Sequence, residues 1–289
     1  MKINYYQLNS FAKSSSGGNP AAIVLNSDNL SEDIMQKIAK TINFSETAFV
    51  SNSNYANFKV RFFTPNEEVD LCGHATIGTF SILLSNKIIT PGLYNQETKA
   101  GILDVEVKSD SSIMMNQSLP IFYEEIPKYE IANSLNISVD DIEDDIPIQI
   151  VSTGLKDIII PIKNLSILTS IKPNFKKIID ISKKYNVVGY HAFSLESIHN
   201  STAHCRNFAP LYDILEESAT GTSNGALACY LYKYEKINNT QINNLKFEQG
   251  YCMEKPSEIK VSLVTEDKNI LQVKVGGNTL GLKVCEIDI

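Results

Sequence analysis

The 289-residue chain has no tryptophan and only four histidines, at positions 74, 191, 199 and 204. The missing tryptophan excludes nothing by itself. The histidines are not spaced like metal ligands, and there is no H-E-x-x-H. G-x-G-x-x-G, the Walker A loop and G-x-S-x-G are absent too, which disfavours a nucleotide cofactor and a nucleophile-elbow hydrolase. No apolar run reaches the roughly 18 residues of a membrane-spanning helix. The opening MKINYYQLNSF has no apolar stretch behind its lysine, so no signal peptide is expected. Positive charge is scarce: 26 Lys+Arg face 33 Asp+Glu, for a net charge of -7. That argues against a nucleic-acid partner and against an acidic membrane surface. Five cysteines, at 72, 205, 229, 252 and 285, form no C-x-x-C pair and are odd in number. They read as reduced thiols, and so as a cytoplasmic protein.

The length suggests about two domains. Strand-like runs cover Lys2 to Leu8, Ala21 to Leu25 and Asn57 to Phe63, where Phe58, Val60 and Phe62 share one face. Ser31 predicts a helix N-cap, with Leu30 and Met35 as a hydrophobic staple. Ile34, Ile38 and Ile42 continue at helical spacing. Ala75 to Leu84 is a short apolar helix, and Ile102 to Asn116 reads as two strands about a polar turn. From Leu119 to Ile146 the composition shifts to Pro, Tyr and acidic residues, a candidate boundary. Beyond it come a strand at Asp157 to Ile162, a helix at Phe175 to Lys184 and a strand at Val187 to Ser194. Three strands from Ile259 to Ile287 close the chain. Many strands and few short helices point to α+β with mixed or antiparallel sheets rather than a doubly wound parallel sheet.

Residues 73–84 (GHATIGTFSILL) and 221–232 (GTSNGALACYLY) echo each other. Each has a glycine, small polar residues, a second glycine and an apolar run. A glycine at a helix start lets a ligand approach amides that have no partner within the helix. Two such starts could hold one anionic group from both sides, or be ordinary amphipathic helices.

Glu46 lies among Phe44, Ala48, Phe49 and Val50. If buried alone, its pKa would rise toward neutrality and suit acid/base work; at a strand edge it would simply face water. His74 falls in the first turn of the apolar helix, where the dipole disfavours its charged form; it could relay a proton or cap its own helix. Cys72 gains thiolate character at a helix start. Cys72 and His74 are i and i+2, however, which do not face each other on a helix. His191, His199 and His204 read as structural. Of the adjacent Glu216 and Glu217, the first suits dipole complementation, and the second, beside the glycine turn, is the better site candidate.

An ordered set of motifs runs along nearly the whole chain. It comprises Gly17-Gly18-Asn19-Pro20-Ala21-Ala22-Ile23-Val24, Ser45-Glu46-Thr47-Ala48-Phe49, Arg61-Phe62-Phe63-Thr64-Pro65, Cys72-Gly73-His74-Ala75-Thr76 and Ser152-Thr153-Gly154-Leu155. Arg206-Asn207-Phe208-Ala209-Pro210, Glu216 to Thr222, Gln249-Gly250 with Pro256-Ser257, and Val275-Gly276-Gly277 complete it. By these the chain resembles the phenazine-biosynthesis PhzF-like family, relatives of diaminopimelate epimerase. The resemblance implies two similar domains, each an antiparallel barrel-like sheet around a central helix. The first would hold 1–118 plus 277–289 and the second 119–276, with the site in the cleft between them. It implies a homodimer, a small carboxylate substrate and no metal or organic cofactor. The family's acid/base carboxylate falls on Glu46, its histidine on His74 and its second-domain carboxylate on Glu217. Thr222 takes its small hydroxyl position, Gly73 and Gly221 supply helix-start amides, and Asn19 lies in its glycine-rich loop.

The implied chemistry moves a proton between carbons, as in isomerising a dihydro-hydroxyanthranilate. One departure bears on the substrate: the family commonly has Asp-Pro where this chain has Glu217-Ser218. A longer acid on a less rigid turn shifts a reacting group by about 1 Å, enough to cost roughly 100-fold. Two other readings are a non-catalytic small-molecule-binding protein of the same fold and a two-thiol amino-acid epimerase using Cys72. The second needs a cysteine in the second half, where Thr220 stands, and a lone hydroxyl is a weak base without a partner.

Overall fold

A computed structural model describes residues 1–289. The chain divides into two compact units, Met1–Asn116 with Gly276–Ile289, and Gln117–Val275. No helix is long and apolar enough to cross a membrane.

The first unit opens with β1 (Lys2–Ser10) and β2 (Asn19–Val24). Helix α1 (Glu32–Ile42) leads to β3 (Thr47–Ser51), β4 (Phe58–Phe63) and β5 (Glu68–Val69). Helix α2 (Gly73–Ser85) precedes β6 (Gly92–Thr98), β7 (Gly101–Val107) and β8 (Ile113–Gln117). Ser31 caps α1, accepting from the Ile34 amide, and Asn43 ends it in the left-handed conformation. Alternation sorts the strands' side chains onto two faces. Leu8, Ala21, Ile23, Ala48, Val60 and Phe62 form one cluster with Ala75 and Ile82 of α2. Val24, Phe49 and Phe63 form another with Met35, Ile38 and Ala39 of α1. Helix α2 is buried almost all round, from Ala75 through Phe80 and on to Leu83, as a helix enclosed by sheet must be.

The second unit contains β9 (Ile121–Glu125), α3 (Lys128–Leu135), β10 (Gln149–Ser152) and β11 (Lys156–Pro161). Helices α4 (Leu165–Ser170) and α5 (Phe175–Tyr185) come next, then β12 (Gly189–Ser194), β13 (Ala203–Ala209) and β14 (Ile214–Glu217). Helix α6 (Gly221–Lys233) is followed by β15 (Leu245–Gln249), β16 (Ser257–Glu266) and β17 (Asn269–Gly277). The last strand, β18 (Thr279–Asp288), pairs with β1 and so belongs to the first unit. Ile131, Leu135, Leu168 and Ile178 of α3, α4 and α5 pack on Ile150, Ile158, Ile160 and Tyr190. Helix α6 buries nine consecutive residues, Ser223 to Leu231.

The two units share one pairing scheme. In the first, β1–β2 is antiparallel, β2–β3 parallel, β3–β4 and β4–β5 antiparallel, β4–β6 parallel and β6–β7 antiparallel. In the second, β10–β11 is antiparallel, β11–β12 parallel, β12–β13 and β13–β14 antiparallel, β13–β15 parallel and β15–β16 antiparallel. Ion pairs repeat at matching places. Arg61 grips Glu68 with two bonds of 2.7 Å, and Arg206 grips Glu216 with two of 2.9 Å. Lys59 is cross-strand to Glu97 and bonds it at 3.1 Å; His204 is cross-strand to Glu248 and bonds it at 2.8 Å. The echo between residues 73–84 and 221–232 is thus one architecture used twice, each copy a largely antiparallel, barrel-like sheet with one central helix.

Candidate active site

In the first unit, the residues with chemistry gather at the start of α2. Cys72 is its N-cap, with extended backbone (φ -139, ψ 117), and its side chain makes no capping bond. His74 follows in the first turn. Glu46 comes just before β3, whose Thr47 pairs with Phe63 at the end of β4. These strand ends bring Glu46 Oε2 within 3.1 Å of His74 Nε2. The same nitrogen lies 3.3 Å from Ser45 Oγ, and His74 Nδ1 lies 3.4 Å from Cys72 Sγ. Ser10 Oγ donates to the His74 carbonyl at 2.6 Å. Asn19 opens β2 directly across from Ser10.

Three sequence expectations are corrected here. Glu46 is not pushed toward neutrality. Burial does raise its pKa, but the close contact with His74 and the charge of its ring, with help from Ser45 and Cys72, outweigh it and hold the carboxyl below its ordinary range. Nor is His74 kept neutral by the helix dipole. Burial opposes its charge, but Cys72 and the Glu46 carboxylate overcome that and hold the imidazole well above its ordinary value. Burial also pushes the Cys72 thiol up, so Glu46 is the standing anion. The result is a carboxylate–imidazolium pair at neutral pH. Third, Cys72 and His74 do touch. The i, i+2 rule holds inside a helix, whereas the extended N-cap swings Sγ back over the first turn.

Glu46, Cys72 and His74 each offer one ligand atom, all within 4.8 Å of one another. The spacing of the histidines alone does not reveal this grouping, because Glu46 comes from the segment just before β3.

Gly73 is exposed, and a Cβ there would meet nothing within 4 Å. Its hydrogen therefore leaves open space over the first amides of α2, which lack partners within the helix. Gly73→Ala is expected to leave the melting temperature unchanged or slightly raised, since alanine is the better helix former by up to ~1 kcal/mol. If these amides receive a substrate anion, as the resemblance implies, the methyl would crowd it and turnover would fall at least tenfold. Equal loss of turnover and of melting temperature would contradict this use of the glycine.

The second unit builds its own constellation at the start of α6. Glu217 ends β14, and Thr220 Oγ1 donates to its Oε2 at 2.6 Å. The structure thus supplies the partner that Thr220 lacked in the sequence. Gly221 and Thr222 form the first turn of α6, and Thr153 Oγ1 donates to the Thr222 carbonyl at 3.0 Å. Glu216 turns away to Arg206.

A buried polar network supports this turn, and sequence reasoning missed most of it. Gln249, fully buried, donates from Nε2 to the Glu217 carbonyl (2.8 Å) and Thr220 Oγ1 (2.9 Å). Its Oε1 accepts from the Thr220 amide (3.2 Å) and Asn224 Nδ2 (2.8 Å). Gly250 is left-handed (φ +81), and a Cβ there would lie 2.7 Å from the Ser218 carbonyl, so the Gln249-Gly250 pair needs its glycine. Asn224 leads on to His191, whose ring also meets Asn207; Asn207 donates to Ser223, and Ser223 to Asp157. Burial lowers His191 to about 4, leaving it neutral. The available signal was His191 within the largely apolar GYHAFS; Gln249 in LKFEQ, beside Lys246 and Glu248, gave none.

Burial, with a small contribution from Glu217, raises Asp157 from 3.8 to about 6 against its bond from Ser223. The folded carboxyl therefore holds a proton that the unfolded chain has released. Stability from this group is full below pH ~4 and is lost as pH rises to ~6, by about 3 kcal/mol. Asp157→Asn should flatten the pH dependence of urea unfolding in that window. An unchanged slope would contradict the assignment.

The phenazine biosynthesis-like protein family (PhzC–PhzF) matches residues 8–283. An isomerase described as uncharacterized, from Clostridium acetobutylicum, is 36% identical over 290 residues, covering 96% of each chain. A trans-2,3-dihydro-3-hydroxyanthranilate isomerase of Pseudomonas chlororaphis is 26% identical over 95% of each. The crystal structure of a PhzF-family phenazine biosynthesis protein from Bacillus anthracis superposes with a TM-score of 0.89 at 32% identity, covering 100% of both chains. A hydroxyproline epimerase from Agrobacterium vitis shares the fold alone, at a TM-score of 0.60 and 10% identity. The chain belongs to the phenazine biosynthesis-like family and stands among its isomerases.

Proposed function

We propose that Glu46 is the proton carrier of an isomerase that moves a proton between carbons of a small carboxylate substrate. The observation that carries this reading is the Glu46–His74 pair at the open start of α2. Glu46, charged and only partly exposed, is a base in place. The His74 imidazolium beside it stabilises that anion and returns a proton when negative charge develops on the substrate. The amides at Gly73 hold a substrate carboxylate. In the second unit, Glu217 is a further acid/base group, and Gly221 and Thr222 bind substrate. Asn19, on the strand that positions Ser10, belongs with the substrate-binding residues. The chemistry needs neither a metal nor an organic cofactor.

The named relative acts on a dihydro-hydroxyanthranilate. This chain's substrate is of the same broad class, a small unsaturated carboxylate. Glu217 and Ser218 argue against the identical compound. Five free cysteines support a cytoplasmic location. Leu280, Leu282 and Val284, exposed on one face of β18, support a homodimer.

Deuterium wash-in from D2O into a panel of unsaturated hydroxy and amino acids tests the reading. Incorporation into at least one acid is expected. Tight binding of an acid without incorporation would favour the non-catalytic binding protein.

A further inference from the structure

The thiol, imidazole and carboxylate at the start of α2 are also a coordination set. One donor atom from each of Cys72, His74 and Glu46 lies within 4.8 Å of the other two, and His74 Nε2 stands 3.1 Å from Glu46 Oε2 and 3.8 Å from Cys72 Sγ. Ligand atoms about 2.0–2.3 Å from one tetrahedral zinc stand roughly 3.3–3.7 Å apart, so both distances from the His74 nitrogen already lie close to that range. Glu46 Oε2 is shut off from solvent and has no aligned hydrogen-bond partner: its contact with His74 is a charge contact, not a directed bond. That oxygen is therefore poorly satisfied by the protein alone. A Cys-His-Glu donor set suits zinc rather than magnesium or calcium, which prefer all-oxygen shells. Three protein ligands leave a fourth position, and the His74 and Glu46 side chains are both partly exposed.

We propose that Glu46, Cys72 and His74 bind a zinc-type divalent cation, which switches the site off. Binding releases the Cys72 and His74 protons to solvent, with no change of oxidation state. It also occupies the Glu46 lone pair that accepts the substrate's proton. Binding stands on the donor geometry alone, whereas the switching-off rests on the isomerase reading given above.

Cobalt(II) titration of the full chain separates the two. Stoichiometric binding is expected to produce d–d absorption of tetrahedral intensity and a near-ultraviolet thiolate-to-cobalt charge-transfer band, bleached when zinc is added. Cys72→Ser should abolish the charge-transfer band, while Cys252→Ser, at an exposed cysteine, should keep it. Glu46→Gln should weaken cobalt binding at least tenfold yet keep the band at saturation, which covers the case where Cys72→Ser folds poorly. No band in the wild-type chain, or a band that survives Cys72→Ser, would overturn the site. For the switch, zinc should stop deuterium exchange and chelation should restore it. A cobalt band with exchange untouched by zinc overturns the switch; a band without exchange under any condition overturns the isomerase reading and leaves the metal site standing.

Discussion

Glu46→Gln should lower deuterium exchange into the substrate by about 10²–10⁴-fold, the range for losing a positioned acid/base group. Glutamine keeps the size and polarity of the side chain, so the 3.1 Å contact with His74 can persist as an ordinary polar contact. What disappears is the lone pair that takes a proton from carbon. It also removes the anion beside His74, and the imidazole then titrates lower, because burial opposes its charge. The variant should therefore lose turnover and shift its pH profile, with folding preserved. His74→Gln should be less severe, since Glu46 retains its base function. Full-rate exchange in Glu46→Gln would remove Glu46 from the chemistry. Exchange lost only in Cys72→Ser would favour the epimerase.

The largest stability effect is expected at Arg206. Its side chain is 7% exposed and bonds both oxygens of Glu216, while Nη1 donates to the Leu168 and Ile171 carbonyls at 3.2 and 2.9 Å. These carbonyls lie at the C-terminal end of α4, where a cation also complements the dipole. Arg206→Ala leaves a largely buried carboxylate and two carbonyls without partners, a loss of about 3–5 kcal/mol in urea unfolding. Arg61, in the matching place of the first unit, is 22% exposed, and its partner Glu68 also bonds Lys99 at 2.7 Å. Arg61→Ala should therefore cost less, about 1–2 kcal/mol. Equal losses would show that burial and the second partner are not what separates the two. Arg206→Ala should also reach the site, because Glu216 immediately precedes Glu217.

The sequence carried the architecture through punctuation. Ser31 and the isoleucine spacing marked α1, and the glycine starts marked both central helices together with their kinship. Short β3, buried from Thr47 to Val50, showed no alternation, because both of its faces pack against apolar groups, Ala48 toward α2 and Phe49 toward α1. Helix α3 lay hidden in the acidic, proline-bearing segment read as a boundary. At the start of α2 the sequence singled out Glu46, Cys72 and His74, but neither their contacts nor their protonation. Glu46 next to Phe44 and Phe49 looked like an acid in an oily setting, and only the fold shows that a histidine distant in sequence meets it. The contact between Cys72 and His74 depended on one extended N-cap residue, which helical spacing does not anticipate. Of the Gln249 network only His191 stood out, as a polar residue in a largely apolar strand; Gln249, beside Lys246 and Glu248, gave no hint of its burial.

The most direct test follows where the deuterium goes. With an accepted acid in D2O, the label is read by NMR on each carbon over time. The account predicts deuterium at the carbon that gains hydrogen as the double bond shifts, dependent on Glu46 and indifferent to Cys72→Ser beyond its effect on folding. Deuterium at the α-carbon of a saturated amino acid, with inversion and dependence on Cys72, would contradict it.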